Sequence, residues 1–235
     1  MIKSRRERLR EATIDEIKTT ALSQISEGGK QALSMGAIAR SMGMTTPALY
    51  RYFNSRDALL SSLIQDSYSG LNKHLHCNTN AVSREDWFGC LRCLFLEYRR
   101  WGLENRNIFD LMFGTESLPF RERVEHRQHL GELLQTLASP LKSAEAGGHW
   151  NPPEEHPSLR LFEEWKEWQA LHLDQNNPSH STRSLAVAFL LWTRCHGLLS
   201  YEINQVFPTS SLNFERLYEQ ELLQQSVVFG LKSNS

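Results

Sequence analysis

Residues Ser34 to Asp57 read Ser-Met-Gly-Ala-Ile-Ala-Arg-Ser-Met-Gly-Met-Thr-Thr-Pro-Ala-Leu-Tyr-Arg-Tyr-Phe-Asn-Ser-Arg-Asp. The pattern is that of two short helices separated by a tight turn. Ser34 is a helix N-cap residue, and Ile38, Ala39 and Met42 place apolar atoms on one face of the helix it opens. Gly43 stands where a left-handed residue stops that helix at least steric cost. Thr45 or Thr46 caps the next helix, and Pro47 in its first turn lacks only an N–H that would be unbonded anyway. Leu49 and Phe53, at i and i+4, point back into the same small core. Thr46, Ala48, Tyr50, Arg51 and Tyr52 are left on or near the outward face. This is a helix-turn-helix whose second helix has the size and shape to enter a DNA major groove.

The run Gly43-Met44-Thr45-Thr46-Pro47-Ala48-Leu49-Tyr50-Arg51-Tyr52-Phe53, followed by Ser55-Arg56-Asp57-Ala58-Leu59-Leu60, resembles the signature of the TetR family of transcriptional regulators. The resemblance implies DNA contact through Ser34, Thr45, Thr46, Pro47, Ala48, Tyr50, Arg51, Tyr52 and Arg56. Tyr50, Tyr52 and Arg56 are expected on phosphates, and Thr46 and Arg51 on base edges. Arg56 matches the basic residue usual at that place in the family. A helical hairpin used only for packing would leave exposed tyrosines beside an arginine without a purpose.

Charge is distributed to match. The chain of 235 residues carries a net −1, but residues 1–56 hold ten Lys/Arg against five Asp/Glu, and the remainder sixteen against twenty-two. A basic head on an acidic body is the asymmetry expected when only the head meets phosphates. Residues 5–27 read as one helix with Leu9, Ile14, Ile17, Ala21 and Ile25 along its apolar stripe, ended by Gly28-Gly29. Its first turns are basic, with Lys3, Arg5, Arg6, Arg8 and Arg10 either a solvated face or an arm beside the DNA backbone. No apolar run suggests a membrane span, and no signal-peptide core follows the first residues, so a cytoplasmic location is expected.

Beyond Ser55 a long helix is expected to about Cys77, connecting the head to the body. Past residue 80 the composition changes: all six tryptophans and ten of the eleven phenylalanines lie there. Trp87, Leu91, Leu94, Tyr98 and Trp101 recur at helical spacing, and Asn105 caps a short helix with Ile108, Leu111 and Met112. Residues 119–137 read as another helix, and 139–157, with four prolines and Gly147-Gly148, as a loop. Ser158 opens a helix carrying Leu161, Phe162, Trp165, Trp168 and Leu171, and Asn176-Asn177-Pro178 breaks the chain. The expected fold is all-α: a three-helix DNA-binding domain at 1–56 and a larger helical bundle at 57–235 for dimerisation and ligand binding.

The helix at 184–203 is apolar on two faces, so one side packs within the subunit and the other needs a partner. Phe214, Leu217, Leu222 and Val228 offer a second such surface, and the two together suggest a homodimer through a four-helix seam with Leu191 and Leu198 in it. Trp192-Thr-Arg-Cys-His196-Gly197 resembles the tryptophan–histidine–glycine motif of one TetR C-terminal domain type, which implies a dimeric body with a ligand cavity. The abundance of rings points to a small, largely apolar effector met by Tyr98, Trp101, Phe109, Met112, Phe113, Trp165, Phe189, Trp192 and His196, with Tyr98 and His196 its polar tips.

An enzyme is disfavoured: there is no Gly-rich phosphate loop, nucleophile elbow or catalytic triad, and no cofactor or metal is expected. Cys90-Leu-Arg-Cys93 is a lone pair at ordinary packing distance along a helix, and His74-Leu-His76-Cys77 and His126-Arg-Gln-His129 read as surface side chains. The expected partners are operator DNA, a second copy and the effector. Repression is the usual mode in the family; activation, or DNA binding independent of any ligand, is the alternative.

Overall fold

Helix α1, Arg5–Gly28, begins in a reciprocal cap. The Glu7 N–H donates to Ser4 Oγ (3.2 Å) and the Ser4 N–H donates to Glu7 Oε2 (2.7 Å), which satisfies two of the donors a helix start leaves open. The computed structural model describes residues 4–79, 82–83, 85–114, 120–150, 182–206 and 212–231. Ile17, Ala21 and Ile25 are completely buried, but Leu9, expected on the same stripe, is 60% exposed. The buried stripe of α1 thus begins only in the middle of the helix.

Helix α2, Met35–Ser41, is capped by Ser34, whose Oγ accepts from the Ala37 N–H (3.3 Å). It ends in the left-handed turn anticipated at Gly43, with φ at +64°. The Gly43 N–H donates to the Arg40 carbonyl (3.2 Å) and the Met44 N–H to the Ala39 carbonyl (2.8 Å), the paired bonds of a Schellman end. Thr45 then caps α3, Thr46–Tyr50, with Pro47 in the first turn. Helix α4, Arg56–Thr79, follows after Ser55, whose Oγ accepts from the Ala58 N–H (2.9 Å).

The chain forms two compact units: Met1–Tyr68 with Asn105–His126, and Ser69–Glu104 with Arg127–Ser235. In the first, Ile17, Ile25, Ile38, Leu49, Leu59 and Leu63 make a fully buried core under the helix-turn-helix. Lys18 of α1 pairs with Asp66 of α4 (2.9 Å). Helix α6, Arg106–Phe113, packs on α1, where Asn107 Nδ2 donates to the Ser26 carbonyl (2.7 Å).

The second unit contains α5, Trp87–Glu104, most of α7, Phe120–Ala146, then α8, Thr182–Ile203, and α9, Phe214–Val228. Its α5, α8 and α9 pack on one another. The described residues are helical apart from turns and one isolated β-bridge between Trp150 and Leu231. Trp150 also donates its indole N–H to the Phe229 carbonyl (3.0 Å), fastening the end of α9.

Two expectations are corrected. The loop expected from residue 139 begins only after Ala146, because α7 continues through Pro140. Proline deprives the Thr136 carbonyl of its helical donor, and the Ser139 hydroxyl supplies one instead (2.9 Å). Leu137, Ala138, Leu141 and Ala144 are all completely buried, so apolar packing on both sides of the proline holds the helix together. Leu191, expected in a seam between subunits, is 1% exposed within the single chain and belongs to its own core. The same is true of Phe214 and Leu222, whereas Leu198 is half-buried and Leu217 and Val228 are exposed. The helix expected after Ser158, with Phe162, Trp165 and Trp168, lies outside the described residues. Among the described residues no helix is long and apolar enough to cross a membrane.

Candidate nucleic-acid interface and effector site

The recognition face is assembled by local rules. Leu49, completely buried, is the anchor of α3, and Phe53 (9% exposed) seats the chain just after it. With that side fixed inward, Thr46, Pro47, Tyr50 and Arg51 are exposed, and Ala48 and Tyr52 half-exposed. Thr45 and Ser34 are exposed too, and their hydroxyl oxygens accept from the Ala48 (3.4 Å) and Ala37 (3.3 Å) amides. Each hydroxyl keeps its own proton to offer elsewhere. The Ser34 N–H donates to Gln24 Oε1 of α1 (3.0 Å), which ties the start of α2 to that helix.

Arg56, expected on phosphate, also has partners within the head. Its Nε donates to the Leu33 carbonyl (3.2 Å) and its Nη2 to the Lys30 carbonyl (2.5 Å). The guanidinium braces the 3-10 turn Lys30–Ala32 against the first turn of α4. Arg10, named with Lys3, Arg5, Arg6 and Arg8 as either a solvated face or an arm beside the DNA backbone, has a partner that sequence reasoning did not find. Its Cζ lies 5.3 Å from the centroid of the Tyr52 ring, a cation–π contact between α1 and the end of the recognition segment. Neither relation has a local sequence signal, since the partners are 42 and more than 20 residues apart.

The residues expected around an effector fall in both units. Phe109, Met112 and Phe113 belong to the first, where Phe113 meets Tyr68 edge-on (5.7 Å) and Phe109 (4.9 Å). Tyr98, Trp101, Phe189, Trp192 and His196 belong to the second; Trp165 lies outside the described residues. There the two chosen polar tips meet: the Tyr98 hydroxyl is 2.8 Å from His196 Nδ1. The Trp192 ring lies 4.8 Å from His196 and 6.1 Å from Phe189. Burial drives the His196 pKa down to about 4, so the imidazole is neutral at physiological pH.

One residue beyond Tyr98, Arg99 makes a two-pronged ion pair with Glu202, Nε to Oε2 at 2.8 Å and Nη2 to Oε1 at 2.6 Å. Tyr98 and Arg99 of α5 thereby lock onto His196 and Glu202 of α8. Cys195 is buried and its thiol pushed up to about 12 by burial, which leaves it without thiolate character. His74 is engaged by Glu97 (3.0 Å), and among the described residues no group of three or more His, Cys, Asp or Glu is placed to hold a metal ion.

Residues 17–63 match the family described as "Bacterial regulatory proteins, tetR family". Residues 91–224, more than half of the chain, match "Tetracyclin repressor-like, C-terminal domain". The chain belongs to the TetR family. This TetR-family chain is 33% identical over 92 residues to the HTH-type transcriptional regulator Rv1816 of Mycobacterium tuberculosis, a match spanning 39% of each protein. It resembles the solved structure of SCO4313 with a TM-score of 0.65 and 29% identity, covering 94% of this chain and 98% of that one. The fold is also that of AibR, solved in complex with isovaleryl coenzyme A and operator DNA, at a TM-score of 0.56, 14% identity, and 93% and 99% coverage. The first unit carries the DNA-binding helix-turn-helix of a TetR transcriptional regulator.

Proposed function

We propose that the protein is a cytoplasmic, homodimeric repressor whose affinity for an operator is set by a small, largely apolar effector. The observation that carries the DNA reading is the orientation of α3, with Leu49 inside and Thr46, Tyr50 and Arg51 outside. Residues 1–56 are the reading head and 57–235 the regulatory body. Tyr50 and Tyr52 hold phosphates, while Thr46 and Arg51 reach base edges with Pro47 and Ala48 against the groove floor. The hydroxyls of Ser34 and Thr45 donate to phosphate from the two helix starts.

Support for a dimer comes from the outward surfaces of α8 and α9. Tyr201, Leu217, Leu223, Val227 and Val228 are exposed large apolar side chains. Two copies of such a surface form a self-complementary interface, and two heads then span half-sites on one duplex. The effector is received among Tyr98, Trp101, Phe189, Trp192 and His196, where rings surround a neutral imidazole. It acts by preferring the body conformation that suits DNA less, which changes operator affinity by the ratio of its affinities for the two states.

The test is a gel shift on DNA upstream of the protein's own coding sequence, repeated with flat hydrophobic compounds that quench tryptophan fluorescence. Repression predicts retarded DNA that is released by such a compound, together with rising transcription from that promoter. Retardation with falling transcription on release would make the protein an activator. Compounds that quench but leave the shift unchanged would refute effector control.

A further inference from the structure

We propose that Arg10 is a DNA-backbone contact of this head, held at the edge of the recognition segment by the face of Tyr52. The inference deepens the proposed DNA reading and rests on it. Four arginines, Arg5, Arg6, Arg8 and Arg10, lie exposed on the first turns of α1, and charge alone does not distinguish them. Geometry does. Arg10 sits over the Tyr52 ring at 5.3 Å, and Tyr52 directly follows Arg51 at the end of α3.

The chemistry of the contact leaves Arg10 available to an anion. A cation–π contact draws on the charge of the guanidinium and occupies none of its five N–H donors as a carboxylate would. Among the described residues Arg10 makes no ion pair and no side-chain hydrogen bond. The acids near it in sequence are otherwise engaged or exposed, Glu7 being bound to the Ser4 amide. Arg56 is the opposite case, with two of its donors directed at backbone carbonyls. A planar guanidinium resting on an aromatic face beside a phenol presents two kinds of donor at one place, suited to the oxygens of a phosphodiester. Tyr52 has two roles in this arrangement: its ring is the platform and its hydroxyl a second phosphate donor.

The probes are a duplex selected by the wild-type protein from a random-sequence library and a second duplex of unselected sequence. Affinity is measured against salt concentration for Arg10→Ala, Arg10→Lys, Tyr52→Phe, Tyr52→Leu and the double variants of Arg10→Ala with each tyrosine change. Arg10→Ala is expected to weaken both duplexes on the order of tenfold and to flatten the slope of log affinity against log salt by about 0.9 per head. Arg10→Lys retains the slope and loses two- to fivefold in affinity, as a compact ammonium stacks less well on the ring. In the Tyr52→Leu background the effect of Arg10→Ala shrinks at least twofold, whereas in Tyr52→Phe, which keeps the ring, it persists. An unchanged salt slope in Arg10→Ala overturns the proposal, as does an Arg10→Ala effect that is the same with or without the Tyr52 ring. Tyr50→Ala is measured alongside. If it too binds both duplexes like wild type, the recognition face itself is misassigned; if it weakens binding while Arg10→Ala does not, the Arg10 contact alone is wrong.

Discussion

The two units treat their charges in opposite ways. In the body, arginines meet carboxylates of neighbouring helices, Arg99 with Glu202, Arg92 with Glu219 and Arg194 with Glu221 (2.8 Å), while Glu97 takes Arg100 of its own helix (2.8 Å) and His74 of α4 (3.0 Å). In the head, Lys18 has such a partner in Asp66, but Arg56 faces backbone carbonyls and Arg10 an aromatic ring. Head residues 1–56 also carry twice as many cations as acids. Charge in the body is therefore internal, joining α5 to α8 and α9. The head instead keeps an excess of cations over acids, the imbalance that suits an outside anion.

Removing one partner of the most enclosed pair should break the contrast most strongly. The side chains of Arg99 and Glu202 are only 15% and 12% exposed, so Arg99→Ala leaves a carboxylate nearly stranded. A loss of about 3–5 kcal/mol in urea unfolding is expected. A loss below about 1 kcal/mol, the range of exposed pairs, would show that charge in the body is no more internal than in the head.

The next effect concerns pH. His196 has its pKa lowered from 6.5 to about 4 by burial, so the unfolded chain takes up the proton first as pH falls. The stability that the neutral ring contributes is complete above pH 6.5 and is lost as pH falls towards 4, on the order of 3 kcal/mol in all. Melting temperatures of His196→Gln, which still offers Tyr98 an acceptor, should depend less on pH across that window. An identical pH profile for the two proteins would place the titrating group elsewhere.

Gly43→Ala sharpens the comparison from the side of the head. A Cβ there would meet nothing within 4 Å, so the cost is the strain of φ at +64° alone, about 1–2 kcal/mol by thermal unfolding. A larger loss would reveal a packing role for that turn. The smallest stability effect belongs to Tyr50→Ala, within about 0.5 kcal/mol because the ring is 44% exposed, while DNA affinity drops across all sequences. If stability falls and binding does not, Tyr50 serves the fold and the outward face has been misread.

How much of this could be read from the sequence follows from the range of each interaction. The caps at Ser34 and Thr45, the left-handed Gly43 and the inward Leu49 and Phe53 are fixed by neighbours within one or two turns, and those rules are written in local spacing. The all-α class and the TetR resemblance are legible for the same reason. Pro140 misleads because its usual action as a helix breaker is overridden by a hydroxyl one residue before it and by apolar burial on either side. Leu191 misleads because two apolar faces do not say which one the subunit keeps for itself. The pairing of Arg99 with Glu202, 103 residues apart, has no signature in either segment.

Arg56 has one more consequence, best put in mechanical terms. Its two bonds to the Lys30 and Leu33 carbonyls clamp the first turn of α4 to the piece of chain that leads into α2. Gln24 and the Schellman turn then fix α2 to α1 and to the approach of α3. The head therefore has no clutch between α4 and the recognition helix. Within the head these bonds gather the first turn of α4, the start of α2 and the end of α1 into one braced block. Arg56 is the set screw of that block, and it keeps N–H donors to spare.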